Sequence, residues 1–229
     1  MMLNNSSAGG QATLIVCLTA FLNLTGPGLR AEPALEQLNK AADDPHAQHR
    51  QMLHKAKTSA TRSIDITLSD TELVTQNGIS VKLKSDVVGD KIVVIDFVYT
   101  TCTTVCPVLS AILGQVQARL DDRLGSEVVL VSISVDPTRD SPARLKSYSS
   151  KHRAREGWVW LTGAKPAVDR VLKELGAYTP SFEDHPSMVL VGDGGSGEWA
   201  RFLGFPGSGQ IMAKIDEFSA GRTQAAVRE

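Results

Sequence analysis

Cys102 and Cys106 stand four residues apart in the stretch Tyr99-Thr100-Thr101-Cys102-Thr103-Thr104-Val105-Cys106-Pro107. Residues 92–99, just upstream, are short, apolar and rich in β-branched side chains, the pattern of a buried strand. Downstream, Val108, Leu109, Ile112, Leu113, Val116 and Leu120 recur at spacings of three and four, the pattern of an amphipathic helix. Both sulfurs therefore fall where a core strand hands over to a helix. Unpaired backbone N–H groups and the positive end of the helix dipole favour a thiolate there, and residues i and i+4 of a helical turn face the same way. Two converging, readily ionised thiols make either a redox pair or a site for a soft metal. Copper(I) prefers thiolates, and an added imidazole also suits copper(II). Zinc accepts the same ligands, but a closed structural zinc site takes four.

The surroundings narrow the setting. A chain of 229 residues can bury a real core without disulfide staples, and a net charge of -1 offers no footprint for nucleic acid. Residues 1–29 carry no charged side chain; residues 12–24 are apolar but short for a bilayer span, and Gly26-Pro27-Gly28 breaks them before Ala31. The expectation is export to the periplasm, with residues 1–31 a signal peptide cut near Ala31 or an anchor to the inner membrane. Cys17 lies in that segment, too early and behind residues too bulky for lipid attachment, so the mature chain is left with Cys102 and Cys106. In an oxidising compartment such a pair can close into a disulfide. A loop that short constrains little chain entropy, so a purely structural staple is the weaker reading.

Residues 32–61 read as a polar tether carrying His46, His49, Met52 and His54. Imidazole and thioether suit copper, but a spacing of three drifts around a helix instead of aligning, so these are read first as ordinary tether residues. Residues 72–83 form a hairpin pattern, with Asn77-Gly78 as a type I′ turn. Residues 128–135 make a second buried strand, and Asp140-Ser141-Pro142 starts a helix that runs to about His152, read as a solvated helix end. A strand at 158–161 is expected to bury one of Trp158 and Trp160 and expose the other. A helix at 166–175, a strand at 188–191, a hairpin partner at 199–203 across a Gly-rich turn and a helix at 210–218 complete residues 62–220, ahead of a tail at 221–229. The class is α/β: a central mixed β-sheet with helices on both faces and an N-terminal β-hairpin extension.

That order, with the cysteines after the first long core strand, resembles the thioredoxin superfamily. More closely, the chain is similar to the Sco (SenC) family of copper-binding cytochrome oxidase assembly proteins. Four pieces carry the resemblance: Phe97 to Pro107 with its Cys-x3-Cys-Pro, Val131-Ser-Ile-Ser-Val-Asp136-Pro-Thr-Arg-Asp140-Ser-Pro142, Trp160-Leu-Thr-Gly163, and Asp184-His185 before a core strand. The resemblance implies a thioredoxin-like domain in which Cys102, Cys106 and His185 bind one copper, as Cu(I) or Cu(II). It also implies a copper chaperone whose recipient is the dinuclear copper centre of cytochrome c oxidase subunit II. Asp184 is the candidate to orient His185 by hydrogen bonding its ring from behind the ligand position. Asp136 is a further candidate to support the ligands from behind, although with Arg139 it reads as a turn and an ion pair. The chain departs from the family at Thr103-Thr104, where many members carry Pro-Asp, and at Pro186, where Ser or Thr is common.

Two other functions compete. A thiol–disulfide oxidoreductase could keep a partner's cysteines reduced. A thiol peroxidase is suggested by Thr103-x-x-Cys106, but Tyr99 stands where that motif expects proline. In thioredoxin-like folds a cis proline commonly opens the strand facing the cysteines. The His185–Pro186 bond is therefore expected to be cis, turning His185 toward the sulfurs.

Overall fold

The computed structural model describes residues 61–226. The expected leader at 1–31 and the tether with His46, His49, Met52 and His54 lie outside them. Eight strands form one mixed sheet: β1 (Thr61–Ile64), β2 (Glu72–Thr75), β3 (Ser80–Lys82), β4 (Ile92–Val98), β5 (Val128–Ser134), β6 (Trp158–Thr162), β7 (Met188–Asp193) and β8 (Trp199–Leu203). Their spatial order is β1-β8-β7-β4-β5-β6-β2-β3. The helices are α1 (Val105–Leu120), α2 (Pro142–Lys151), α3 (Lys165–Glu174) and α4 (Ser208–Ala226). Among the described residues no helix is long and apolar enough to cross a membrane.

β4 and β5 run parallel at the centre, and all seven residues of each are buried, which is why both read as almost unbroken apolar runs. Their side chains alternate between two cores. Ile92, Val94 and Val98 pack with Leu109 and Leu113 of α1, Leu145 of α2 and Ile211 of α4. Val93, Ile95 and Phe97 pack with Val168 and Val171 of α3 and with Val87 of a π-helical turn at Leu83–Val88. β7 closes antiparallel on the other side of β4.

Four expectations need correction. The hairpin forms, with Leu73 opposite Val81, but only Gly78 takes a positive φ (77°). Thr75 N–H bonds Ile79 O and Gly78 N–H bonds Thr75 O, so the turn is a three-residue loop with one left-handed glycine, not a type I′ pair. The hairpin also docks on β6 and lengthens the central sheet. Trp158 and Trp160 are both buried and stack at 5.2 Å, because alternate strand residues share a face. His152 is half-buried: its ring lies 4.8 Å from that of Tyr148 and 6.3 Å from that of Trp160, and burial lowers its pKa. Finally, none of the described peptide bonds is cis. His185 instead adopts φ −62° and ψ 139°, the extended conformation that a trans proline imposes on the residue before it.

The site hangs from the carboxyl ends of β4 and β5. Val135 N–H bonds Val98 O there, and the buried carboxylate of Asp140 reaches across. It accepts the Thr100 N–H at 3.1 Å and hydroxyl at 2.5 Å, and the Ser134 hydroxyl at 2.7 Å. Replacing Asp140 with Ala strands these donors, so Asp140→Ala should cost roughly 3 kcal/mol in urea unfolding. Amide exchange should quicken first in the Thr100–Cys102 turn; wild-type protection there would contradict the clamp.

Candidate metal centre

Thr100, held by Asp140, begins a turn in which Cys102 N–H donates to Tyr99 O at 3.0 Å. The turn sets the Cys102 sulfur under the first turn of α1. Thr104, at the cap position, makes no side-chain hydrogen bond to the helix. Cys102 Sγ takes that role and accepts the Cys106 N–H at 3.3 Å. Pro107 fits the same first turn, where a missing N–H costs nothing.

Both cysteines are free and buried, and they differ sharply. Burial raises Cys102, but bonds from the Cys106 thiol, the Cys106 and Thr104 N–H groups and the Tyr99 hydroxyl outweigh it, bringing its pKa down to about 7. Cys106, with no exposed surface, is pushed far up by burial and by serving as donor to Cys102. One sulfur is therefore a ready thiolate near neutral pH, and the other keeps its proton.

His185 comes to the same sheet edge on the loop before β7. Its Nδ1 lies 2.8 Å from the carbonyl of Phe182, which begins the 3-10 turn Phe182–Asp184. A carbonyl only accepts, so Nδ1 carries the proton and Nε2 the lone pair. That Nε2 is buried and has no hydrogen-bond partner. The ring meets the edge of Tyr99 at 5.8 Å, and Tyr99 in turn contacts Cys102. Among the described residues no three His, Cys, Asp or Glu groups converge closely enough to hold a metal. The structure thus joins the two sulfurs and leaves the imidazole one aromatic ring away. The donor set fits copper: two soft sulfurs already together, and an orphaned imidazole nitrogen on a neighbouring loop.

The other candidates are engaged elsewhere. Asp184 is exposed; Phe182 O, not Asp184, is the partner that orients His185. Asp136 accepts the Thr138 hydroxyl at 2.7 Å and pairs with Arg139 at 3.2 Å, and the Arg139 guanidinium lies over the Phe182 ring. Tyr99, Asp140 and Asp96 also shape the site, in roles not assigned to them from the sequence. Asp96 is the one charged residue inside the β4 run, a signal that was available. It is fully buried, accepts the Ser132 hydroxyl and leaves Oδ2 without a partner. Burial pushes its carboxyl up to about 7, and its charge adds to the rise at Cys106.

Comparison with known proteins gives a consistent picture. The sequence model of the SCO1/SenC family matches residues 60–214. A SCO1 homologue of Bacillus subtilis is 33% identical over 89 residues, 38% of this chain and 45% of its own. The chain spans about half the length of the curated relatives it matches. A SCO1/SenC family lipoprotein from Bacillus anthracis superposes with a TM-score of 0.59 at 23% identity, covering 69% of this chain and 98% of the other. Yeast Sco1 with copper bound superposes with a TM-score of 0.55 at 25% identity, over 67% of this chain and 88% of the other.

The asymmetry of the thiols is directly measurable. In the reduced protein, iodoacetamide should modify Cys102 first, at a rate that rises with pH to half its plateau near pH 7. Peptide mapping should find Cys106 unmodified until the protein is unfolded. Equal rates at pH 5 and pH 8, or modification of Cys106 first, would refute this assignment.

Proposed function

The chain belongs to the SCO1/SenC family, and from that premise we propose that it is a copper chaperone, holding one copper ion through Cys102, Cys106 and His185. The observation that carries the proposal is the pairing of a stabilised Cys102 thiolate with a buried, unpartnered His185 Nε2 at the same sheet edge. Two sulfurs satisfy Cu(I), and the imidazole adds the nitrogen that Cu(II) prefers. Copper is cargo here. Cys102 offers its lone pair first, Cys106 gives up its proton as its sulfur binds, and the Phe182 carbonyl keeps the His185 Nδ1 proton in place so that the buried Nε2 is left as the donor.

Sco proteins are a family of cytochrome c oxidase assembly proteins. The recipient we propose is therefore the dinuclear copper centre of cytochrome c oxidase subunit II. A lipoprotein within the family supports the further reading that the domain works outside the cytoplasm, in the periplasm and tethered to the membrane.

A second reading draws on the same cysteines. A low-pKa thiol beside a buried, protonated one is the arrangement of thiol–disulfide exchange, in which the first attacks and the second resolves. Such chemistry could keep the recipient's cysteines reduced for metal transfer. The peroxidase reading loses support, because its motif makes Cys106 the attacking thiol and Cys106 is buried and firmly protonated.

An anaerobic Cu(I) titration against a competing chelator separates these readings. Wild type should bind one Cu(I). Cys102→Ser and Cys106→Ser should each abolish tight binding, since a protonated hydroxyl replaces a soft thiolate; wild-type affinity in both would end the copper proposal.

His185→Ala should spare Cu(I) and weaken Cu(II) by at least the roughly 10–100-fold that loss of an outer-shell partner costs. The visible sulfur-to-copper charge-transfer band should fade or shift. An unchanged spectrum would remove His185 from the site.

A further inference from the structure

The chain enters the sheet at the edge that carries the cysteines. β1 begins at Thr61, which pairs with Phe202 of β8; Phe202 pairs with Val189 of β7, and Val189 with Asp96 near the carboxyl end of β4. Thr61 and Val189 are thus two strand spacings, about 10 Å, apart. His185 stands four residues before Val189, so Thr61 lies at most about 24 Å from it. His54 precedes Thr61 by seven residues, a length of chain that spans up to about 25 Å. Met52, His49 and His46 stand further upstream, with longer chain between them and Thr61. All four fall outside the described residues, yet chain length alone brings each within reach of His185. Charge gives that reach a direction. Residues 46–60 hold Arg50, Lys55 and Lys57 and no carboxylate. Directly before His185 stand Glu183 and Asp184, both exposed, and neither forms an ion pair among the described residues.

We infer that residues 46–60 are a copper-collecting arm: its cations seat on the Glu183–Asp184 turn, and His46, His49, Met52 and His54 hold Cu(I) there until the cysteines take it. The inference rests on Cys102, Cys106 and His185 being the copper ligands. A spacer needs length alone, whereas this one carries three imidazoles and a thioether within residues 46–54. Both are copper donors, and being neutral they hold Cu(I) less firmly than a thiolate does. The spacing of three that defeats a helical stripe is no obstacle to a chain folded around one ion. Hand-over is ligand exchange. A bond from imidazole or thioether to copper breaks as the bond to the Cys102 sulfur forms, and the Cys106 proton leaves to solvent as its sulfur binds. Copper remains Cu(I), so no electron moves. A short tether holds its cargo at an effective concentration of about millimolar, and opposite charges concentrate the arm on the side of the site where His185 stands.

Full-length chain carrying Cys17→Ser, Cys102→Ser and Cys106→Ser isolates the arm. Titrated anaerobically with Cu(I) in dilute acetonitrile, a weak competitor, it should bind one equivalent that disappears when His46, His49, Met52 and His54 are all replaced by Ala. Equal binding with and without those four side chains overturns the collecting role. Seating is read without copper: zero-length carbodiimide coupling should join Lys55 or Lys57 to Glu183 or Asp184 within one chain, and about 0.5 M NaCl should suppress it. Absence of that cross-link overturns the seating. With Cys102 and Cys106 intact, loading is followed as protection of Cys102 from iodoacetamide. The four-Ala variant should load about tenfold more slowly. Glu183→Lys with Asp184→Lys should slow loading in the same way, and adding Arg50→Glu, Lys55→Glu and Lys57→Glu should restore it. A wild-type rate after the first reversal, or no recovery after the second, overturns the pairing of arm and turn. Copper held by the cysteine-free chain and none by the cysteines would end the chaperone reading and the hand-over with it, and leave the arm as a copper site in its own right.

Discussion

The carboxylate of Asp140 is the constraint on which the site depends. A buried, ionised carboxylate is costly unless donors occupy its oxygens, and Asp140 collects the Thr100 N–H, the Thr100 hydroxyl and the Ser134 hydroxyl. Each of those donors sits at the carboxyl end of β4 or β5, so satisfying one charge locks two strand ends together. Everything downstream inherits that lock. Thr100 fixes Tyr99, whose carbonyl fixes the turn to Cys102, whose sulfur occupies the capping position of α1. The helix start is therefore built around a thiolate where a Ser, Thr, Asp or Asn side chain would be usual.

That substitution accounts for the inequality of the two thiols. Burial acts on both in the same direction, against the charged form. Cys102 escapes it because donors converge on its sulfur, among them the Cys106 thiol itself. Cys106 lies deeper, gives its hydrogen bond away and has the Asp96 carboxyl on its own side of the sheet. The pair can then behave as a unit in which only one charge exists at a time, which avoids placing two anions in an apolar setting.

The histidine loop is organised on another principle. Phe182 packs against the core, and the rest of the loop's ties are local. A short 3-10 turn returns the Phe182 carbonyl to His185, and the following proline holds the backbone extended. Both devices are local, so they set the tautomer and leave the position of the ring to its neighbours. Its bracing is aromatic: the Arg139 guanidinium on Phe182, Phe182 on Tyr99, Tyr99 on His185. The two sulfurs are thus fixed by the sheet, while the His185 ring is held by softer contacts.

Much of this was legible from the sequence, because it depends on neighbours in the chain. The periodicities of β4, β5 and α1 are responses to burial on two faces or on one stripe, and they placed the cysteines at a strand–helix junction without any knowledge of what lay opposite. The Asn77-Gly78 hairpin was visible for the same reason, though Gly78 alone takes the left-handed conformation. The choice of partners belongs to the tertiary structure. Asp136 and Asp140 look alike in the chain, yet one is spent on Thr138 and Arg139 while the other anchors the cysteine turn across forty positions. Trp158 and Trp160 share a buried face, Phe182 O displaces Asp184 as the partner of His185, and Tyr99 proves to be the contact between the two loops. Local pattern determines which segments bury; which buried polar group meets which is decided only when segments distant in sequence are packed against one another.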